Sequence, residues 1–315
     1  MKGICAGRSP LYQTGILVAM VFVGFFFSQL ITVFIFAVSS AGQFENMVID
    51  PLGQPVWTLQ SAQFFSAICT FLFPAYATAW LCSNDPKSYL SIRTFPNFWL
   101  MAMICLTTML LSPMVSLTGY FNSQIHLPES MAVIEEWMKS TEEVTEALLE
   151  RMSSENGIVA FIINLIVIAV VAGVTEEFLF RGALQHIMLQ KIKNHHMAIW
   201  IVAILFSAIH LQFYGFFPRM LLGAYLGYLV YWTKNIWVPV FAHFIHNAAA
   251  FIGMSSDTLK ENAIFADEIP PEDIQWLSII TCICLIAFFY CIRYFRRIYS
   301  SPSVQRSDDN QMQRF

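Results

Sequence analysis

Charge is scarce in this chain. Only 12% of its 315 residues are Asp, Glu, Lys or Arg, about half the share of a soluble domain, while 57% are hydrophobic and the mean hydropathy is +0.59. That balance excludes a soluble globular domain and reads as a membrane protein. No basic cluster is present, so no nucleic-acid partner is expected. The seven cysteines are odd in number, lie in or beside apolar runs and have no CxxC spacing, which argues against a disulfide framework or a cysteine zinc site and leaves them as small apolar fillers. Internal repeats and low-complexity tracts are also lacking. So are an HExxH helix, which would commit the chain to zinc, and a Gly-x-Gly-Asp aspartyl motif. Gly253-Met254-Ser255 lacks the glycine that would complete a serine motif, and reads as a helix end.

What is present is a series of long apolar runs. A bilayer core of roughly 30 Å needs about 17–25 helical residues, and eight segments reach or approach that length, at 12–38, 60–81, 97–119, 157–175, 197–213, 217–233, 236–254 and 274–293. The fold class expected is all-α: a polytopic bundle of about eight transmembrane helices forming a single domain over 1–300, with a short polar tail at 301–315. The first run is about twice the length of a signal-peptide core and reads as an uncleaved helix, with Ser39-Ser40-Ala41 as the alternative cleavage site. Pro74 and Pro113 predict kinks in the second and third spans.

Loop charge tests the span count independently. With the N-terminus cytoplasmic, only Lys139, Arg151, Arg219 and Lys260 of the seventeen basic residues lie outside. That asymmetry follows the positive-inside rule and puts both termini in the cytoplasm of a multi-pass membrane protein. Short loops suggest a bacterial cell membrane. The longest loop, 120–156, is acidic from Pro128 to Glu155 and spaces Met131, Ile134, Trp137, Met138, Val144, Leu148 and Met152 as amphipathic helices do. It is expected on the outer face as a lid, a substrate-selecting surface or a solvated connection.

The chemistry is concentrated in Thr175-Glu176-Glu177-Phe178-Leu179-Phe180-Arg181-Gly182, where two carboxylates and an arginine end an apolar run. Ionisable groups at membrane depth are costly and mark functional sites. On a helix Glu177 and Arg181 share a face and can pair, while Glu176 points roughly 100° away and stays free. The alternative is a structural ion pair with an interfacial Glu. Two later spans add polar groups: His210 in Phe206-Ser207-Ala208-Ile209-His210, and His243 with Asn247 four residues apart in Ala242-His243-Phe244-Ile245-His246-Asn247. Such a set could hydrolyse an amide. Glu176 would take a proton from water, His210 would orient that water, and His243 with Asn247 would hold an oxyanion. His246 reads as packing, and His195-His196 as part of a loop.

In that order these motifs, Glu176-Glu177-x-x-x-Arg181, Phe206-x-x-x-His210 and His243-x-x-x-Asn247, resemble the CPBP (CAAX protease and bacteriocin-processing, or Abi) intramembrane endopeptidases, over about 157–254. The resemblance implies cleavage of a membrane-associated peptide or protein substrate, in a cavity open to the cytoplasmic side. It also implies Glu176, Glu177, Arg181, His210, His243 and Asn247 as site residues. A zinc cofactor held by Glu176, His210 and His243 and a metal-free glutamate mechanism both remain open. A proton or ion transporter and a non-catalytic immunity or scaffold protein are the rivals, and the sequence says nothing of oligomeric state.

Overall fold

The computed structural model describes residues 2–39, 52–155, 157–256 and 269–299. Among these the chain is all-helical, as expected from the sequence. Its principal helices are α1 (Pro10–Ser39), α2 (Val56–Cys82), α3 (Phe98–Ser123), α4 (Ala132–Ser153), α5 (Ile158–Lys191), α6 (His195–Ala208), α7 (Phe216–Thr233), α8 (Trp237–Ser255) and α9 (Ile274–Tyr299). The tail at 301–315, the 40–41 part of the alternative cleavage site and Lys260 of the charge count lie outside the described residues.

Every helix but α4 coincides with an apolar run. Six of them (α1, α2, α3, α5, α8 and α9) are long and apolar enough to cross a membrane by themselves. The other two, α6 and α7, are shorter or more polar and complete the set of eight. Burial is distributed as lipid solvation demands: Phe22, Trp99, Phe289 and Tyr290 are exposed, while Gln13, Thr58, Thr107, Asn164 and Gln185 are buried. In hydrocarbon an apolar surface costs nothing and each polar group needs an internal partner. Accordingly Thr107 Oγ1 and Tyr225 Oη lie 2.7 Å apart between α3 and α7, and Gln185 Nε2 donates to Gly227 O at 2.9 Å. Pro113 lies inside α3, which runs on through it.

The bundle has two chemically distinct ends. At one end, Gly3 N donates to Trp80 O, Gln13 to Gln190 and Asn235 to Thr94 O, joining the start of α1, the 80–97 loop and the α5–α6 and α7–α8 connections. At the other, Asn122 donates to Phe213 O, Arg151 to Gln54 O and Asn164 to Met152 O. The loop helix α4 belongs to this second end. It is one amphipathic helix, entered through a short turn at Glu129–Met131 and fastened by Glu135, which accepts from Leu127 N and pairs with Lys139 at 3.0 Å.

Candidate active site in the membrane core

Glu176 and Glu177 lie close to the middle of α5, Glu176 being 18 residues from its start and 15 from its end, where the apolar run of the sequence finishes. On either side of Ala172–Glu177 the backbone ladder widens to i→i+5 bonds, over Leu165–Val171 and Phe178–Leu184. Wide turns of this kind are rare and redirect side chains locally. Gly173 adds the approach of α8: a Cβ there would sit 3.3 Å from Phe244 N, so a small residue lets the two backbones close on each other.

The expected pair forms. Arg181 Nη1 donates to Glu177 Oε1 at 2.7 Å with both side chains fully buried. The guanidinium also donates to Gly223 O at 3.0 Å and lies 4.3 Å from the centre of the Phe206 ring. Unforeseen from the sequence is a third partner, since the same Glu177 oxygen lies 2.9 Å from His243 Nδ1.

These contacts fix both imidazole tautomers. Glu177, ionised against Arg181, only accepts, so His243 carries its hydrogen on Nδ1. Likewise His210 Nδ1 lies 2.8 Å from Phe206 O, which also only accepts. With those hydrogens on Nδ1, His210 and His243 turn their Nε2 atoms towards Glu176 Oε2, at 3.9 and 4.0 Å. Those gaps exceed a direct hydrogen bond and suit one shared water. Glu176 keeps 14% side-chain exposure where Glu177 has none, so Glu176 is the carboxylate that water can reach.

His210 is not inside a span as expected. α6 ends at Ala208, and His210 sits in the following turn, just before Leu211 at φ 55°, where the chain reverses into α7. Asn247 lines the same cavity as His243 and donates Nδ2 to Ile168 O at 3.3 Å, within the first wide turn of α5. His246 lines the cavity too. His195 and His196 open α6 behind the N-cap Asn194 instead of forming a loop, with His195 stacked on Tyr231 at 4.5 Å and His196 Nδ1 2.6 Å from Tyr228 Oη. They lie at the opposite end of α6 from His210.

Sequence reasoning missed Arg219, which it counted only as a loop charge. Its side chain lines the cavity with Glu176, donates Nη2 to Gln212 Oε1 at 2.6 Å, and leaves Nη1 buried without a partner. The guanidinium lies against Gly215, where a Cβ would meet Nη2 at 2.8 Å. A basic residue three positions into α7, soon after the His210 turn, was the available signal.

The donor chemistry of Glu176, His210 and His243 fits zinc: two imidazole lone pairs, each with its far N–H held by a carboxylate or a carbonyl, and one carboxylate. Their spacing is wider than the roughly 3.3 Å between donors on a tetrahedral zinc, and among the described residues no group of three is arranged closely enough to hold a metal ion. Zinc would have to draw the three side chains together.

The cavity has a volume of about 370 Å³ and is lined by residues of α3, α4, α5, α6, α7 and α8. It shares Val115, Gly215, Pro218, His246, Ala250 and Met254 with a larger hollow of about 1040 Å³ under α4, walled by Lys139, Glu142, Glu143 and Glu146. Glu142 Oε2 accepts from Tyr214 N at 3.3 Å, tying α4 to the His210 turn. The mouth is therefore on the α4 end. A loop helix on the outer face, expected from loop charge, and a cavity open to the cytoplasm, implied by the family resemblance, cannot hold together.

Fold and site define a multi-pass helical membrane protein with a polar cavity of carboxylate, imidazole and amide groups. Residues 158–249, from α5 to α8 and including all six candidate residues, match the family model described as Type II CAAX prenyl endopeptidase Rce1-like, which bears out the resemblance read from the motifs. The uncharacterized protein YpbD of Bacillus subtilis (strain 168) is 31% identical over 89 residues, which cover 27% of this chain and 42% of that protein, less than half its length. No solved structure matches the chain.

Proposed function

We propose that the protein is an intramembrane endopeptidase that hydrolyses a peptide bond in membrane-associated peptides or proteins. The convergence of Glu176, His210 and His243 on one wettable cavity carries this reading, and the family match over 158–249 supports it. CAAX specificity rests on that match alone, and leader processing on the motif resemblance alone.

In the proposed reaction, water in the gap donates one hydrogen to Glu176 and another to an imidazole Nε2. Glu176 takes the proton as the oxygen attacks the scissile carbonyl. That proton can pass from Glu176 to an imidazole Nε2 across the gap. When His243 holds that proton, its Nε2 becomes a donor to the tetrahedral oxyanion beside the Asn247 amide, while Glu177 stabilises the imidazolium through Nδ1. The proton then passes to the leaving amine. Zinc, if bound by Glu176, His210 and His243, would polarise the carbonyl and acidify the water.

Cleavage of quenched fluorescent membrane peptides by the purified protein tests the proposal, with chelator and zinc arms and the zinc content of the preparation. Loss on chelation and recovery with zinc would make the histidines ligands; insensitivity favours the metal-free route. No cleavage of any peptide in a diverse library, where a relative succeeds, would refute it. Transport is the weaker reading, because Asn164 is tied to Gln60 Nε2 and Met152 O instead of marking a polar path. A scaffold that kept the motif for stability would retain its function in Glu176→Gln and lose it in Arg181→Ala.

A further inference from the structure

The two ends of the bundle differ in charge as well as in contacts. The end that carries the start of α1, the 80–97 loop, the α5–α6 and α7–α8 connections and the end of α9 holds Lys2, Arg8, Lys87, Arg93, Lys191, Lys193, Lys234, Arg293, Arg296 and Arg297, against Asp85 alone among the described acids. The α4 end holds Lys139, Arg151 and Arg219 against Glu129, Glu135, Glu136, Glu142, Glu143, Glu146, Glu150, Glu155, Glu272 and Asp273. Basic residues near the ends of spans stay in the cytoplasm.

Among the described residues the Glu176 cavity opens towards the acidic end and is closed towards the basic one. Below Glu176 the buried Glu177–Arg181 pair is followed by Phe178, Phe180, Ile187, Leu90 and Ile236, all buried. Phe178 packs on Trp237 with ring centres 5.8 Å apart, and a Cβ at Gly182 would lie 3.1 Å from Leu90. Above Glu176, the cavity runs past His246 and Ala250 into the hollow under α4, whose rim includes Gln124, Glu143, Ile269 and Pro271.

We propose that the Glu176 cavity is served from the extracytoplasmic side: water and the scissile segment enter under α4, and the substrates are extracytoplasmic segments of membrane-anchored or exported peptides. The substrate half of this inference rests on the peptidase reading above; the direction of opening does not. It reverses the cytoplasmic opening that the family resemblance implied, and it does so from charge and packing in this chain.

Accessibility of single cysteines in the full-length protein tests it. With the seven native cysteines replaced, Ala250→Cys in the cavity wall, Gln124→Cys at the rim and Lys87→Cys at the basic end are exposed to a small membrane-impermeant thiol reagent, in intact spheroplasts and after permeabilisation. Expected is labelling of Ala250→Cys and Gln124→Cys in intact spheroplasts, and of Lys87→Cys only after permeabilisation. The reverse pattern would overturn the proposal, as would an Ala250→Cys that reacts in neither condition, because the cavity would then be closed. Should the cysteine-free background not fold, a reporter that is active only in the cytoplasm, fused to the C-terminus of the native-cysteine chain, gives the orientation instead, and an inactive reporter would overturn it. Outside labelling together with no cleavage of any peptide would leave the opening standing and remove the peptidase.

Discussion

Glu177 holds His243: the imidazole Nδ1 lies 2.9 Å from the carboxylate oxygen that Arg181 also grips. Glu177 thereby does more than neutralise an arginine, because it sets the tautomer that turns His243 Nε2 towards Glu176. In Glu177→Gln the amide can turn either its oxygen or its NH2 to Nδ1, so the tautomer is no longer imposed. We expect kcat for peptide cleavage to fall by about 10²–10⁴-fold, the scale of a lost acid–base contribution, with KM little changed. An unchanged kcat would show that the orientation of His243 is irrelevant to the chemistry.

Arg181→Ala should destabilise the fold. It strands a buried carboxylate, at a cost of about 3–5 kcal/mol, and also removes the donor to Gly223 O that joins α5 to α7. Thermal melting in detergent reads this directly; a midpoint equal to that of the parent would contradict the buried pair.

Asn164 couples three elements, accepting from Gln60 Nε2 at 2.9 Å and donating to Met152 O at 2.9 Å. Asn164→Leu leaves a buried Gln60 without its partner, at about 1–3 kcal/mol. A lower melting midpoint with kcat retained is the expected outcome. Abolished activity in a fully stable variant would instead point to a polar path through the bundle.

Two carboxylates on α4 should respond to pH with opposite sign. Glu135 is held down to about 2 by Lys139, His126 and the Leu127 N–H. A lowered folded value stabilises above the ordinary 4.5 and is lost as pH falls towards 2. Burial raises Glu142, with the charge of Glu146 adding to it against the Tyr214 N–H. Its ionisation therefore opposes docking, and protonation as pH falls through its raised value towards 4.5 removes that opposition. Amide exchange should show 125–135 losing protection below pH 4.5, while 138–150 gains protection as pH falls through the raised Glu142 value towards 4.5. In Glu142→Gln the second trend should vanish; its persistence would show that Glu142 is not its source.

Much of this was legible because the physical constraints are local. Eight apolar runs predict eight helices, and the i,i+4 spacing of Glu177 and Arg181 predicts their pair. What was not legible depends on backbone departures that side-chain patterns do not encode. The i→i+5 turns on either side of Glu176 are one such departure, since the residue pattern shows a helix that carries carboxylates but not that its ladder widens around them. The end of α6 at Ala208 moved His210 from a helix face to a turn. Arg219 looked like a loop charge because a single sequence does not show that α7 begins beside the cavity. The side on which the cavity opens required knowing that α4 covers it.

The most direct test compares cleavage of a membrane peptide by the parent and by Glu176→Gln, an isosteric change that keeps a hydrogen-bonding group facing the water. Loss of about 10²–10⁴-fold in kcat, with an unchanged melting midpoint, is the result predicted for a carboxylate that takes the proton. Full activity in Glu176→Gln would contradict it, and would leave the cluster of Glu176, His210 and His243 without a role in hydrolysis.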